Sequence, residues 1–399
     1  MGEIEDRLER LAAHRAAQIP EFSMPTAEEL VVRRHGTRRA PLIGAIAACL
    51  VVALVIGGWL LASSRDDPLS VQTSAGRPTA GGPTGLPAAG AAGGCAGKAY
   101  VNNSRDGTVS VITTATGAVS GTIALGATPI GPAITPDGRH VYVSNHGALE
   151  VPAAPGDLGT VSVITTATGA VSAPITVGSG PAGIGIAPDG QHVYVANQGD
   201  GTVSVITAAT GAVSATIKVG TIPVGPAITP DGKQVYVANQ IDGTVSVITT
   251  ATDSVSATIK VGKAPGGVAI TPDGKHVFVA NNGDGTLQVI TTTTGAVSAP
   301  IAVGKGPQGM AVTPDGTHVY VANNGDATVS VIETATSAVS ARVPVGNGPV
   351  GVAITPDGRD VYVANNGDGT VSVITTATAA VSAPVPVGNG PRSVAICPP

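Results

Sequence analysis

From residue 95 onward, apolar positions come in short bursts, rich in Val and Ile, separated by clusters of Gly, Pro, Asp and Asn. The clearest stretch, residues 351–390, reads GVAITPDGRDVYVANNGDGTVSVITTATAAVSAPVPVGNG. Bursts of four to six residues that lack the i, i+3, i+4, i+7 spacing of a helix predict β-strands cut by turns. The unit predicts strand A over 351–354, B over 361–365, C over 370–375 and D over 380–387. Thr355-Pro356-Asp357-Gly358 makes the A–B turn, with Pro fixing φ and Gly free to take φ > 0. Asn366-Gly367-Asp368-Gly369 makes the B–C turn.

The unit recurs. A Y/F-V-x-N tetrad begins at Tyr100, Tyr142, Tyr194, Tyr236, Phe278, Tyr320 and Tyr362, at intervals of 42, 52, 42, 42, 42 and 42 residues. A period near forty residues, built of strand formers, is that of a propeller blade. The expected fold class is all-β: a seven-bladed β-propeller of four-stranded blades over 95–399, preceded by one transmembrane helix. Tyr100 already belongs to a strand B, so the first blade lacks its own strand A. Residues 393–396 form a strand A with no B after it. The two ends are expected to complete one blade and close the ring, leaving no unpaired inner edge.

These tetrads, with T-P-D-G and N-x-G-D-G between them, resemble the YVTN family of β-propeller repeats, found in surface-layer-type and other exported proteins. The resemblance covers 95–399 in seven copies. It implies the fold and leaves the function open, because that family hosts many roles.

Ahead of the array, residues 42–62 are uncharged and apolar, long enough to span a bilayer, with Trp59 near the far end. Arg33, Arg34, Arg38 and Arg39 precede the stretch, whereas Arg65, Asp66 and Asp67 follow it. The positive-inside rule therefore predicts a single-pass protein of the cell membrane: a cytoplasmic tail (1–41), a transmembrane helix (42–62), a Gly/Ala/Pro/Ser-rich stem (63–94) and an extracytoplasmic propeller (95–399). Cleavage of a signal peptide after Ala62-Ser63-Ser64 is the alternative. Cys49 sits in a lipoprotein-like box, but apolar sequence continues beyond it, which places it within the membrane segment. In the tail, Ile4, Leu8 and Leu11 suggest a short amphipathic helix. Either it is a solvated tail or it docks a cytoplasmic partner.

Composition narrows the chemistry. Charged residues are 12% and aromatics 2%, so the core must be Val, Ile and Ala. The propeller carries 12 Lys+Arg against 17 Asp+Glu, which argues against nucleic acid as a partner. No G-x-S-x-G, H-E-x-x-H or Walker motif is present. No cofactor is expected: quinone docking in some propellers leans on Trp, and the one Trp here is Trp59. No metal site is expected either, because the N-x-G-D-G loops lack the carboxylates of a calcium loop. His140, His192, His276 and His318 share one register position and read as structural rather than catalytic.

Departures from the repeat are the better guide to function. The 52-residue interval places ten extra residues in the B–C loop of the second blade, with His146, Glu150 and Asp157. The D–A links also vary. Two residues before the Pro stand Ala127, Ser179, Thr221, Lys263, Lys305, Asn347 and Asn389. Just after it stand Ile130, Ala182, Val224, Gly266, Gln308, Val350 and Arg392. B–C and D–A loops share one face in propellers, so Lys263, Lys305, Gln308, Asn347, Asn389 and Arg392 form a polar sector suited to an anionic or sugar-like ligand. The expectation is a binding or structural module at the cell surface, for an unknown ligand or protein. A lactonase-type hydrolase and a sensor signalling through the tail are the rivals.

The last expectation concerns Cys95 and Cys397. Aligned on the repeat, they take the first and third positions of the A–B turn that the closing blade lacks. Residues so placed lie within disulfide range, and the compartment permits oxidation.

Overall fold

The computed structural model describes residues 94–147 and 158–399, and the predicted tail, transmembrane helix and most of the stem lie outside them. Among the described residues no helix is long and apolar enough to cross a membrane. These residues form seven antiparallel sheets, each with its strands in the order A–B–C–D. In the seventh blade the strands are Pro349–Ile354, Asp360–Asn365, Thr370–Thr375 and an outer strand in two pieces, Ala380–Val381 and Val385–Pro386. Each strand A touches the strand A of the next blade, so the seven A strands form a closed ring about the axis. Strand A of the first blade is Pro391–Ile396, paired antiparallel with strand B Lys98–Asn103. The ring closes with that strand, as the sequence predicts.

Burial follows radius. Strand B is buried on both faces, as in His192–Asn197, whereas outer strands such as Ala118–Ala124 are mostly exposed. The core is therefore divided into inter-blade seams. In one, Tyr100, Val109 and Val111 of the first blade meet Val141, Val143 and Ile164 of the second. Burying each tetrad aromatic stabilises the ring by roughly 1.5–3 kcal/mol.

Each repeated polar residue has a structural task. The last tetrad Asn donates to Thr and Ser of strand C, as Asn323 Nδ2 does to Thr328 (3.0 Å) and Ser330 (2.9 Å). The T-P-D-G aspartate accepts from its own turn: Thr313 Oγ1 lies 2.5 Å from Asp315. That bond, with those from Thr317, holds the Asp315 carboxyl down at about 2. The N-x-G-D-G aspartate latches the incoming link, with Asp326 accepting from Lys305 N (2.6 Å) and Asp368 from Asn347 N (2.6 Å). Among the described residues no group of three or more His, Cys, Asp or Glu is placed to hold a metal.

The outer strand expected over 380–387 is broken at Ser382-Ala383-Pro384. The second and fifth blades break at the same point, at Pro174 and Pro300, where single bridges replace the ladder. Proline has no N–H to give, and only an edge strand tolerates that loss. Strand A also begins earlier than expected, at Pro349 rather than residue 351.

The missing A–B turn is replaced by the Cys95–Cys397 disulfide, with Cα atoms 5.6 Å apart across 302 residues. Both cysteines are buried, and Cys95 N also donates to Gly138 O of the next blade at 3.3 Å.

Candidate functional site

B–C loops and D–A links meet on one face, where Asn324 N donates to Gly306 O and Asn366 N to Gly348 O. A–B and C–D turns meet on the other, where Thr166 N donates to Arg139 O. A cleft of about 600 Å³ opens between outer strands on that second face, lined by residues such as Thr116 of a C–D turn, Pro384 of an outer-strand break and Asp360 at the start of a strand B. Similar turn residues, Asp315, Asp357 and Thr376, line a cleft of about 620 Å³ one seam away. These are products of the repeat.

The first face carries the asymmetry. Four of the expected polar residues sit on the links and are held by the latch aspartates. Lys263 is exposed, its ammonium 3.9 Å from Asp284. The Lys305 backbone is bound by Asp326. Asn347 and Asn389 each donate both N and Nδ2 to one aspartate, Asp368 and Asp106 respectively. Gln308 and Arg392 lie instead on A strands, in the sixth and first blades. The expected sector is thus two sets of residues: a latched set on the links and a set on the inner ring. Glu150 and Asp157 lie outside the described residues, whereas His146 lies within them.

Arg392 occupies a bulge. Strand register pairs Asn102 with Ser393 and Asn103 with Pro391, leaving Arg392 unpaired between them. A bulge at this point re-aims its side chain. Arg392 is half-buried, and its Nε has no hydrogen-bond partner. Burial, and then the neighbouring Arg105, lower its pKa from the ordinary arginine value. His146, on the second blade, directly follows the tetrad Asn145. Burial depresses its pKa; hydrogen bonding to the Gln198 side chain opposes this, and Arg392 adds to the depression. Its Nδ1 is buried and has no partner.

A third residue carries no signal in the sequence. Asn102 is fully buried, and neither its Oδ1 nor its Nδ2 has a partner. Five blades place Ala at this position (Ala196, Ala238, Ala280, Ala322 and Ala364), and the second places Ser144. Ser144 Oγ accepts from Gly131 N (3.0 Å) and donates to Ala182 O (3.1 Å), tying the A strands of consecutive blades. Asn102 faces the seam between the first and second blades in the same way. Its register partner Ser393 stands where every other blade has Gly, and Arg105 where most have Gly. The remaining unpartnered buried side-chain atoms among the described residues are Oδ1 atoms of the repeated tetrad asparagines. Those on non-repeated residues are therefore confined to the first two blades: Asn102 and Arg392 on the first, and His146, whose ring bonds Gln198 of the third, on the second within electrostatic reach of Arg392.

A ring of residues directly after each tetrad was also not anticipated: Ser104, His146, Gln198, Gln240, Asn282, Asn324 and Asn366. Asn324 and Asn366 reach the strand A of the next blade, at Pro349 O (3.4 Å) and Pro391 O (3.2 Å). A polar position that varies beside an invariant tetrad was the available signal.

Two family models match parts of the chain: a lactonase, 7-bladed beta-propeller model over residues 148–258 and a YNCE-like beta-propeller model over 223–316. No curated protein sequence matches significantly. Among solved structures, hydrazine synthase of Kuenenia stuttgartiensis is similar at 26% identity and a TM-score of 0.59, over 66% of this chain and 88% of that one. A functionally unknown protein from Desulfotomaculum acetoxidans is similar at 20% identity and a TM-score of 0.66, over 76% and 100%. A candidate 6-phosphogluconolactonase from Bacteroides uniformis is similar at 16% identity and a TM-score of 0.62, over 75% and 98%. The last two likenesses concern the fold alone.

Proposed function

We propose that this protein is a membrane-anchored, extracytoplasmic propeller of YVTN type that binds a small ligand at the mouth of its ring. One observation carries the binding reading: the unpartnered buried polar atoms on non-repeated residues all lie on the first two blades, on Asn102, Arg392 and His146, the last within electrostatic reach of Arg392. A fold that needed only to stand could keep Ala, Asn and Val at these positions, as several of its other blades do. The Arg asymmetry around residues 42–62 supports the topology, and the Cys95–Cys397 bond suits an oxidising compartment. The test is a thermal-shift screen of the full chain in detergent, using small anions, sugars, lactones and cell-wall fragments. A ligand is expected to raise the melting temperature, and Arg392→Val to remove that rise. A panel with no response would count against binding. Anchoring is checked separately: N-terminal sequencing of membrane-fraction protein should not find a start after residue 62.

The second reading is a hydrolase of lactonase type. Its support is the lactonase model over 148–258 and the 6-phosphogluconolactonase fold likeness. In it, a neutral His146 would take a proton from water and Arg392 would polarise the lactone carbonyl. The binding reading expects no turnover of a lactone panel. Turnover lost in His146→Asn would establish the enzyme instead.

A further inference from the structure

We propose that the seam between the first and second blades holds a small oxyanion, a carboxylate or a phosphate. Arg392 is its cationic partner, and Asn102 and His146 are flanking donors. This names the ligand class of the site above and rests on the binding reading.

Charge comes first. Arg392 replaces Val, Ala, Ile, Gly or Gln of the other blades, so the blade does not need a guanidinium there. Its buried Nε–H has no acceptor. Leaving such a donor unmade is costly, and a planar oxyanion can accept from the guanidinium in two parallel bonds. The carboxylate of the adjacent B–C loop is already engaged on both oxygens: Asp106 accepts from Asn389 N (2.7 Å) and Nδ2 (2.9 Å).

Donor capacity comes second. Asn102 Nδ2 and His146 Nδ1 are buried and unpartnered. With Gln198 able to accept from the opposite ring nitrogen or donate to it, the imidazole can take the tautomer that presents Nδ1–H. Asn102 Oδ1, also unpartnered, can accept from the P–OH of a hydrogen phosphate. A metal cation is disfavoured by Arg392 and Arg105.

Backbone spacing comes third. At the two flanking seams the inner strands stand too close for a side chain: a β-carbon on Gly351 would lie 2.6 Å from Arg392 O, and one on Gly131 2.7 Å from Ala182 O. At the seam between them the same position carries a side chain, Ser393, paired in register with Asn102, so the strands there are spaced for polar groups.

The test uses the repeat itself as the source of safe variants. Arg392→Val, Asn102→Ala and His146→Asn each install a residue that other blades already carry there. The full chain in detergent is titrated calorimetrically with inorganic phosphate and, separately, with acetate. Binding of one or both is expected, weakened about tenfold or more by Arg392→Val and severalfold by Asn102→Ala, with Lys305→Ala unchanged. In parallel, the Nε–H resonance that disappears in Arg392→Val should move downfield when the anion is added. Preference for phosphate or acetate separates the two sources. Binding insensitive to both Arg392→Val and Asn102→Ala would mean an adventitious ion only and would overturn the proposal. If neither anion binds while a neutral compound from the screen does so in an Arg392-dependent way, the oxyanion assignment fails and the binding reading stands. If nothing binds, both fail.

Discussion

The seam between the fifth and sixth blades and the seam between the first and second share one architecture and differ in how they treat polar groups. In the former, Ala280 packs in one cluster with Met310, and a Cβ on Gly267 would meet the backbone of Gln308. In the latter, Asn102 and Ser393 stand at the places of Ala280 and Gly267, and both polar side-chain atoms of Asn102 are buried and unpaired. The first is what the repeat does when only packing is asked of it. The second gives up stability at one place, which is the usual cost of a site that must meet something else.

The closing blade offers the largest test. Replacing Cys95 and Cys397 by Ser removes the only covalent link across 302 residues that stands in for an A–B turn. The loss should be about 3–5 kcal/mol, read as a fall in melting temperature that reducing agent reproduces in the unmodified protein. If reduction leaves the melting temperature unchanged, the closing blade is held by strand pairing alone.

Exchanging the seam residues tests the comparison directly. Asn102→Ala should stabilise the free protein by about 1–2 kcal/mol, because it removes two unpaired buried polar atoms. The reciprocal Ala280→Asn should destabilise by about 2–3 kcal/mol, since it overpacks a filled seam and buries an unmatched amide. Equal and opposite effects in denaturant melts would mean the two seams are equivalent. A stabilising Asn102→Ala that also weakens ligand binding would make the trade explicit.

The smallest effect is in the pH dependence. The folded-state pKa of His146 is lowered by burial and by Arg392, with Arg105 acting in turn on Arg392. A histidine held neutral contributes stability above its unfolded pKa of about 6.5, and the contribution is lost as pH falls from there toward the folded value. Melting temperatures measured from pH 7.5 down to 5 should therefore fall less in His146→Asn than in the unmodified protein.

Much of the frame was legible in the sequence. The tetrads set blade number and radius, and the turn alignment alone places Cys95 opposite Cys397. The breaks in the outer strands follow from Pro384, Pro174 and Pro300, whose missing N–H the reading of 380–387 as one strand leaves out. The site was half legible. Arg392 stood out in a column of small residues, but it was grouped with Lys263 and Lys305, whose link positions belong to the latches. Asn102 was invisible because it fills the free position of Y/F-V-x-N. Only its depth, and the absence of any partner there, distinguishes it from an ordinary variation.

One consequence concerns time rather than space. Arg392 and Ser393 belong to strand A of the first blade, and Asn102 and Arg105 to its strand B and the loop that follows. These two strands are adjacent in the sheet and nearly three hundred residues apart along the chain. A growing chain can carry five or six finished blades and still have no site. Ligand can then be engaged only by a molecule that has completed its circle, so occupancy would report that the ring is whole.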